Sequence, residues 1–362
     1  MKHSIPPLVL VLGLAACGSS TPEDVSPDAE DRYEAQEVTI MSFNVENLFD
    51  NLDDPGKNDS TYLPAADKSD PEHIAACEQI EVQRWRDDCL YLDWSDDAVA
   101  FKLEQLAKTI LQVNDGFGPD VVAFQEVENI RILDRLRDEY LAGSGYAESI
   151  LIEGDDLRGI DVAFLSRLPL AAEPVLHPLD MNEFPDRADD TRGVLEATFE
   201  LPDGALLTGY SVHFPAPFHP IEMRWLAYEH LNTIRARLPE DRHVFAAGDF
   251  NTPQREVEGT TILDDMARPY WTIAHETGCK GCRGTNYFAR ADSWSFLDMI
   301  FYSPSAGAAS EWRIKRGGVY IADSYDDQLN EDGTPKRFNL EGRYGVSDHL
   351  PLVMTLETVN PD

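Results

Sequence analysis

The sequence predicts an α+β protein in which two β-sheets pack face to face with helices outside, a four-layer α/β/β/α sandwich. Three observations predict it. About ten short apolar runs recur along the chain, few long helices lie between them, and no internal repeat is visible. Sheets buried on both faces need such continuous apolar runs, and the few helices have to cover the outer faces.

The elements follow in order. Val38 to Val45 is the first strand. The stretch 51–97 is polar, acidic and rich in turn residues, and reads as an insertion before the first helix. That helix, Ala98 to Val113, places Ala98, Phe101, Leu103, Leu106, Ile110 and Val113 on one broad face, the spacing of an amphipathic helix. Val121 to Phe124 is a continuous buried run, and Ile130 to Tyr140 a second helix carrying Ile130, Leu133, Leu136 and Tyr140. Ile150 to Ile152 and Val162 to Leu165 read as a hairpin. Val194 to Leu201 and Leu206 to Phe214 flank Pro202-Asp203-Gly204, a stronger hairpin signal. The third helix, Ile221 to Leu238, has Pro220 ahead of its start, where proline is tolerated. Val244 to Ala247, Leu297 to Tyr302, Trp312 to Ile321 and Leu350 to Leu356 complete the strands, and Tyr344-Gly345-Val346 reads as a further buried run.

The first residues are set apart from this body. Lys2, the apolar run Leu8 to Leu14 and the small residues Ala15 and Ala16 describe a secretory signal. The order Leu14-Ala15-Ala16-Cys17 resembles the bacterial lipoprotein signal, which implies a lipid on Cys17 and a membrane partner through it. Gly18 after the cysteine implies a cell outer-membrane destination. Residues 18–37 are small, acidic and Pro/Ser-rich, the composition of a disordered tether. Residues 38–362 then form one domain with the insertion 51–97. No other stretch approaches the ~20 apolar residues of a membrane span.

The formal net charge is −36. Such a surface repels polyanions, because non-specific nucleic-acid affinity comes from Lys and Arg neutralising phosphates. It counts against an enzyme that tracks long duplexes by charge alone, while a local basic groove or a bound divalent cation overcomes it. Adaptation to salt, or plain solubility, explains most of the charge. Besides Cys17 the chain has Cys77, Cys89, Cys279 and Cys282. An even number in an exported protein favours disulfides, with three connectivities open. The reading favours Cys77–Cys89, stapling the insertion, and Cys279–Cys282 in a tight turn. A redox Cys-x-x-Cys wants a helix start, whereas Gly278, Gly281 and Gly284 flank this one, and a zinc site wants a second ligand pair.

Polar residues recur at one kind of place, the end of a buried strand. Asn44 and Glu46 follow the first strand, Glu126 the second, His213 ends Leu206 to Val212, and Asp249 and Asn251 follow Val244 to Ala247. Asp298 opens Met299-Ile300-Phe301, and Asp348 and His349 precede Leu350. A cation explains why carboxylates gather, since it offsets their mutual repulsion. The residues carrying the pattern are Phe43-Asn44-Val45-Glu46-Asn47-Leu48-Phe49-Asp50, Gln125-Glu126-Val127-Glu128-Asn129, Arg158-Gly159-Ile160-Asp161, Ser211-Val212-His213, Gly248-Asp249-Phe250-Asn251, Trp294 to Asp298 and Ser347-Asp348-His349. In these motifs and their order the chain resembles the endonuclease/exonuclease/phosphatase superfamily, with its deoxyribonuclease-I-like fold, over nearly the whole body from Ile40 to about Leu356.

The resemblance implies a phosphoric ester hydrolase in which water attacks phosphorus in line. It implies Mg²⁺ as cofactor, with Mn²⁺ or Ca²⁺ as alternatives, held by Glu126 and Asp348 with Asn44 beside them. Asp249 and Asn251 are expected to orient the water and hold the phosphate. Asp249 and His349 are the two candidate bases, with Asp298 fixing the His349 ring. His213 matches the family's phosphate-contacting histidine, with Asp161 expected to orient it and Arg158 to reach a phosphate oxygen. Asn129 and Glu128 are expected to start the next helix, and Asp50 to cap a turn or help a structural cation. His219, His243 and His275 have no motif partners and read as surface residues. Arg192 and Arg224 read as members of solvated pairs.

Two departures bear on substrate. The secreted branch of the family often carries a Trp and a basic residue after the histidine, where this chain has the apolar Phe214 to Pro220. Arginines expected near the first helix are replaced by Ala98-Val99-Ala100-Phe101. The expected substrate is a phosphodiester, nucleic acid ahead of phospholipid or inositol phosphate, with a basic groove favouring the first and an apolar rim the others. A non-catalytic envelope binding module is the reading from another class. No protein partner is expected.

Overall fold

The computed structural model describes Met1 and residues 36–181, 183–187, 189–305 and 311–359. The signal, Cys17 and the tether as far as Ala35 lie outside the described residues. The elements are β1 (Glu37–Leu48), α1 (Pro71–Glu78), α2 (Gln83–Tyr91), α3 (Asp96–Leu111), β2 (Val121–Val127), α4 (Ile130–Arg135), β3 (Glu148–Leu151), β4 (Asp161–Ser166), β5 (Val175–His177), β6 (Val194–Glu200), β7 (Leu206–His213), α5 (Ile221–Arg235), β8 (His243–Asp249), α6 (Gln254–Gly259), α7 (Ile262–Met266), β9 (Thr272–Ile273), β10 (Asn286–Phe288), β11 (Ser293–Ser295), β12 (Asp298–Ser303), β13 (Trp312–Ile321) and β14 (Leu352–Thr358).

Two six-stranded sheets form, in the orders β13-β14-β1-β2-β4-β3 and β5-β6-β7-β8-β12-β9. Their topologies match. In each, one parallel pair sits at the centre, β1 with β2 and β7 with β8. Each parallel pair is joined by a crossover helix, α3 or α5, as parallel strands require. The other neighbours in both sheets are antiparallel. This duplication is one of strand order and leaves no trace in the sequence.

Side-chain alternation sorts the apolar residues into three cores. Ile40, Val121, Ala123, Phe164, Phe199, Phe245, Ala247 and Ile300 fill the space between the sheets. Their neighbours Met41, Phe43, Val122 and Phe124 point the other way, against Val99, Leu103, Leu106 and Ile110 of α3. On the far side Tyr210, Val244, Ala246 and Phe301 meet Met223, Tyr228 and Leu231 of α5. Every central strand is therefore apolar on both faces, and the four expected layers are present.

The helix expected over Ile130 to Tyr140 is α4, capped by the Asn129 side chain on Ile132 N and continued by a π-turn over Leu136–Tyr140. Both expected hairpins form. Tyr344-Gly345-Val346 is not a strand. Gly345 has φ +79°, and a Cβ there would lie 1.9 Å from the Arg337 carbonyl oxygen, so this segment is a close-packed loop. The insertion is more ordered than its composition suggests. Asp70 caps α1, and the Cys77–Cys89 disulfide ties α1 to α2. Buried Lys68 donates to the Thr61 and Leu92 carbonyls, both at 2.6 Å, and Tyr62 stacks on Phe49 at the end of β1. Cys279–Cys282 also forms. Among the described residues no helix is long and apolar enough to cross a membrane.

Candidate active site

The strand faces that point into the inter-sheet core also point the polar residues. Ile40, Ser42 and Asn44 alternate along one face of β1, as do Ala247 and Asp249 on β8, Ser211 and His213 on β7, and Ile300 and Asp298 on β12. The apolar core thus ends in a polar rim where the carboxyl ends of both parallel pairs converge. The convergence is direct. Asn44 Nδ2 donates to Glu126 Oε1 at 3.2 Å and, across the sheets, to Asp249 Oδ2 at 3.1 Å. His213 Nε2 lies 3.7 Å from Asp249 Oδ2 and 4.0 Å from Glu126 Oε1.

The backbone is bent where these side chains leave it. Register breaks follow Asn44 in β1 and Gln125 in β2. Glu46, Asn47, Glu126 and Asn251 have φ of 51°, 60°, 65° and 49°, a region that residues with a Cβ rarely take. Strain of this kind persists where surrounding structure holds it. The bends let Asn47 N donate to Glu126 Oε2 at 3.0 Å and Asn251 N to Asp249 Oδ1 at 2.8 Å. Gly248 lets β8 approach β7, since a Cβ there would lie 2.0 Å from the Val212 oxygen.

A second group arrives on the loop before β14. His349 Nδ1 lies 2.6 Å from Asp298 Oδ2, with Asp298 fully buried. Ligand-type atoms of Asp249, Asp298 and His349 all fall within 4.8 Å of one another. Ser347 Oγ donates to the Asn44 carbonyl at 2.8 Å, which ties this loop to β1. Arg337 bridges two acids, Nε to Glu46 Oε1 at 2.7 Å and Nη2 to Asp348 Oδ2 at 3.2 Å. Below them Lys102 of α3, with no exposed surface, donates to the Val346 carbonyl at 2.8 Å.

The environment separates the titratable groups. Burial pushes Asp249 up to about 7, Asp298 adding to the effect and His349 opposing it. Burial and then Asp348 push Glu46 up to about 7, against the pull of Arg337. His213 is held well below the usual imidazole range by burial, then by Arg192 and Arg158, so it is neutral. Burial opposes charge on His349 too, yet the carboxylates of Asp298, Asp348 and Asp249 hold its pKa well above the ordinary value. The site therefore presents a neutral imidazole, a charged one and a cluster of acids.

The structure brings together Asn44, Glu126, His213, Asp249, Asn251, Asp298, Asp348 and His349, with Arg158 at the edge, its Nη2 2.9 Å from Asn47 Oδ1. Asp161 does not orient His213. It accepts from Gly154 N at 3.0 Å, and burial, then the neighbouring Glu153, raises its pKa to about 7. His213 Nδ1 has no hydrogen-bond partner. Asn44 turns its nitrogen to the acids, and its oxygen accepts from Glu46 N at 3.0 Å, so it clasps the two sheets. Asp50 caps the turn at Leu52 and pairs with Arg131.

The three unassigned histidines are not surface residues. His243 is buried against Tyr302, His219 is buried beside Asp190, and His275 stacks half-buried on Phe296. Arg192 and Arg224 sit in buried pairs with Asp156 and Glu256. Phe214 is core, edge-on to Tyr228 and Phe250, and Arg224 holds the carbonyls of Pro215 and Ala216. The segment Phe214 to Pro220 is thus mainly packing, with Phe218 its one large side chain exposed, at 81%. Sequence reasoning placed Glu46 among the polar residues at strand ends but gave it no role, and it missed Arg337 and Lys102. Lys102 directly follows the apolar run that replaces the expected arginines.

Glu126 and Asp348 each offer carboxylate oxygens, with His213 Nε2 4.0 Å from the first and His349 Nε2 3.9 Å from the second. Both carboxylates are half-buried and open to solvent, and Arg337 and Lys102 share the field of the acids Glu46, Glu126 and Asp348. Such carboxylates fit a hard divalent cation.

The chain is similar to known proteins in sequence pattern and in fold. The family model described as the Endonuclease/Exonuclease/phosphatase family matches residues 89–349. A search of curated proteins finds no match. Solved structures similar in fold include an endonuclease/exonuclease/phosphatase family protein from Bacteroides thetaiotaomicron, 18% identical, covering 90% of this chain and 98% of that one at a TM-score of 0.54. Another is the mannosyl-6-phosphatase of the same species, 17% identical, with 89% and 100% covered and a TM-score of 0.52. A third is D. rerio TDP2 complexed with single-strand DNA product, 18% identical, with 88% and 98% covered and a TM-score of 0.53.

Proposed function

Because this chain belongs to the endonuclease/exonuclease/phosphatase family, whose members are phosphoric ester hydrolases, we propose that it hydrolyses phosphodiesters of single-stranded nucleic acid with Mg²⁺. One observation carries the choice of substrate. A groove of about 860 Å³ opens on Asp348 and is lined by Arg290, Lys336, Arg337, Tyr287, Phe288 and Tyr344. Cations interleaved with aromatic faces bind single strands, the cations tracking phosphates and the rings stacking bases. Arg84 adds a fourth cation, and Asp88, Asp332 and Asp348 also line the groove, so it gathers basic side chains locally on a chain of net charge −36. TDP2, similar in fold, is complexed with a single-strand DNA product.

The site's residues divide the work. Glu126 and Asp348 would hold Mg²⁺, which polarises the phosphoryl oxygens and stabilises the leaving oxygen when bound. Asp249, fixed by Asn44 Nδ2 and Asn251 N, takes the proton of the attacking water. His349, oriented by Asp298, directs Nε2 as donor to a phosphoryl oxygen. Neutral His213 sits against Asp249 and orders the water, and Arg158 meets a non-bridging oxygen at the rim.

A second reading, a phospholipid or inositol-phosphate hydrolase, rests on exposed Phe218 alone. A panel of single-stranded DNA, RNA, sphingomyelin and inositol phosphates, each with Mg²⁺ and with EDTA, separates them. The expected result is oligonucleotide cleavage abolished by EDTA, with Arg290→Ala and Tyr287→Ala raising KM more than they lower kcat. Turnover confined to sphingomyelin or inositol phosphates refutes the substrate assignment. No metal-dependent turnover of any ester points to a binding module.

A further inference from the structure

A second group of acids lies where the insertion leaves β1. Asp54 and Asp59 come from the start of the insertion, and Glu128 follows the last residue of β2. Each offers a carboxylate oxygen, and the three atoms lie within 4.8 Å of one another. Asp59 and Glu128 are 1% and 2% exposed.

Counting donors oxygen by oxygen shows what is missing. Asp59 Oδ2 accepts from Asp54 N at 2.8 Å, and Glu128 Oε2 from Asp50 N at 2.7 Å. Asp54 is satisfied by Arg131 Nη2 at 2.7 Å and Asn129 Nδ2 at 3.2 Å. Asp50 accepts from Leu52 N, Asn129 and Arg131. Asp59 Oδ1 and Glu128 Oε1 are left buried with no donor. Of the four carboxylates here, Asp50 and Asp54 pair with the Arg131 guanidinium, and no ion pair is seen for Asp59 or Glu128 among the described residues. A buried carboxylate without compensation is costly enough that something must answer it.

We propose that Asp54, Asp59 and Glu128 bind a calcium ion, separate in its ligands from the catalytic cation, that fastens the insertion to the end of β2. The donors are all oxygen, which disfavours zinc. Several carboxylates gathered from a loop suit the variable coordination of Ca²⁺, whereas Mg²⁺ keeps most of its waters and demands a near-ideal octahedron. The third cluster of ligand-type residues, His73, Cys77 and Cys89, is spent on the disulfide. The bound ion would fix the loop origin next to the strand that carries Glu126.

Titration calorimetry with CaCl₂ on EDTA-treated Glu126→Gln/Asp348→Asn protein, which lacks the catalytic ligands, tests it. The expected result is saturable uptake of Ca²⁺ with a rise in Tm, both lost when Asp59→Asn and Glu128→Gln are added. If that combination fails to fold, Asp54→Asn serves instead and should weaken Ca²⁺ binding by roughly tenfold or more. No uptake in the parent variant, uptake unchanged by these substitutions, or uptake of Mg²⁺ in place of Ca²⁺ overturns the proposal. So does a Tm indifferent to Ca²⁺ but raised by mild acid, which would mean that the two oxygens share a proton.

Discussion

Replacing Lys102 by methionine should separate activity from stability. Methionine keeps the length of the stem and removes the charge and the donor. The lost bond to Val346 O, at 2.8 Å, is charge-assisted and worth about 1.5–3 kcal/mol. Against this stands the cost of burying the charge. Burial first, partly answered by Glu46, Asp348 and Glu126, lowers Lys102 from 10.5 to about 8, which corresponds to about 3 kcal/mol against the charged form. The two effects nearly cancel, so Tm at pH 7 in EDTA should move by only a few degrees, at about 2–4 °C per kcal/mol for a domain of this size. The sign with pH follows. Lys102 has a folded pKa below its unfolded one, so between about 8 and 10.5 only the unfolded chain holds the proton, and the parent gains stability as pH rises. The variant lacks this gain and should fall behind the parent toward pH 10. Activity behaves differently, because Val346 stands just ahead of Ser347, Asp348 and His349. A displacement of about 1 Å there should cost about 10²-fold in kcat, read on a chromogenic phosphodiester with Mg²⁺. Full kcat with Tm depressed by many degrees would refute the reasoning and make Lys102 a support of the fold alone.

Two further substitutions probe the rim. Asp298→Asn leaves the volume but removes the negative charge that orients and protonates His349 at Nδ1, and should lower kcat by roughly 10²–10⁴-fold with KM little changed; a kcat near the parent's would show that the 2.6 Å contact does not govern the ring. Gly248→Ala places a methyl 2.0 Å from the Val212 oxygen and should destabilise by about 3 kcal/mol or more, so an unshifted denaturation midpoint would contradict the close approach of β7 and β8.

How much of this was legible depends on how far each contact reaches along the chain. Asn44, Glu126, His213, Asp249 and Asp298 could be read because each is a polar residue at the end of an apolar run. Pattern alone carries that information, though for Glu126 it is the register break after Gln125 that turns it to the site. Arg337 and Lys102 could not be read, since their meaning lies in contacts 291 and 244 residues away. A lysine on a helix ordinarily reads as solvated. Glu46 was visible in its motif, but its burial comes from the loop that brings Arg337. The helices α1 and α2 lack a clear apolar stripe and are held by a disulfide and by Lys68, so periodicity missed them. His219, His243 and His275 misled because a histidine without a motif partner reads as exposed, while each packs its ring on an aromatic neighbour, with Asp190 beside His219 and the Tyr302 hydroxyl beside His243. Asp161 was misplaced for the opposite reason. It stands in a family motif, but the nearest donor is the Gly154 amide.

The matching strand order of the two sheets has a consequence for how the protein can be assayed. Asn44 and Glu126 come from one sheet, His213 and Asp249 from the other, and they meet only when the sheets are pressed together. A partly folded molecule with both sheets formed but not yet joined would show nearly full secondary structure by circular dichroism and no turnover. Catalysis is thus a stricter witness of native packing than any spectroscopic signal from the backbone, and its return on refolding should keep time with the joining of the halves.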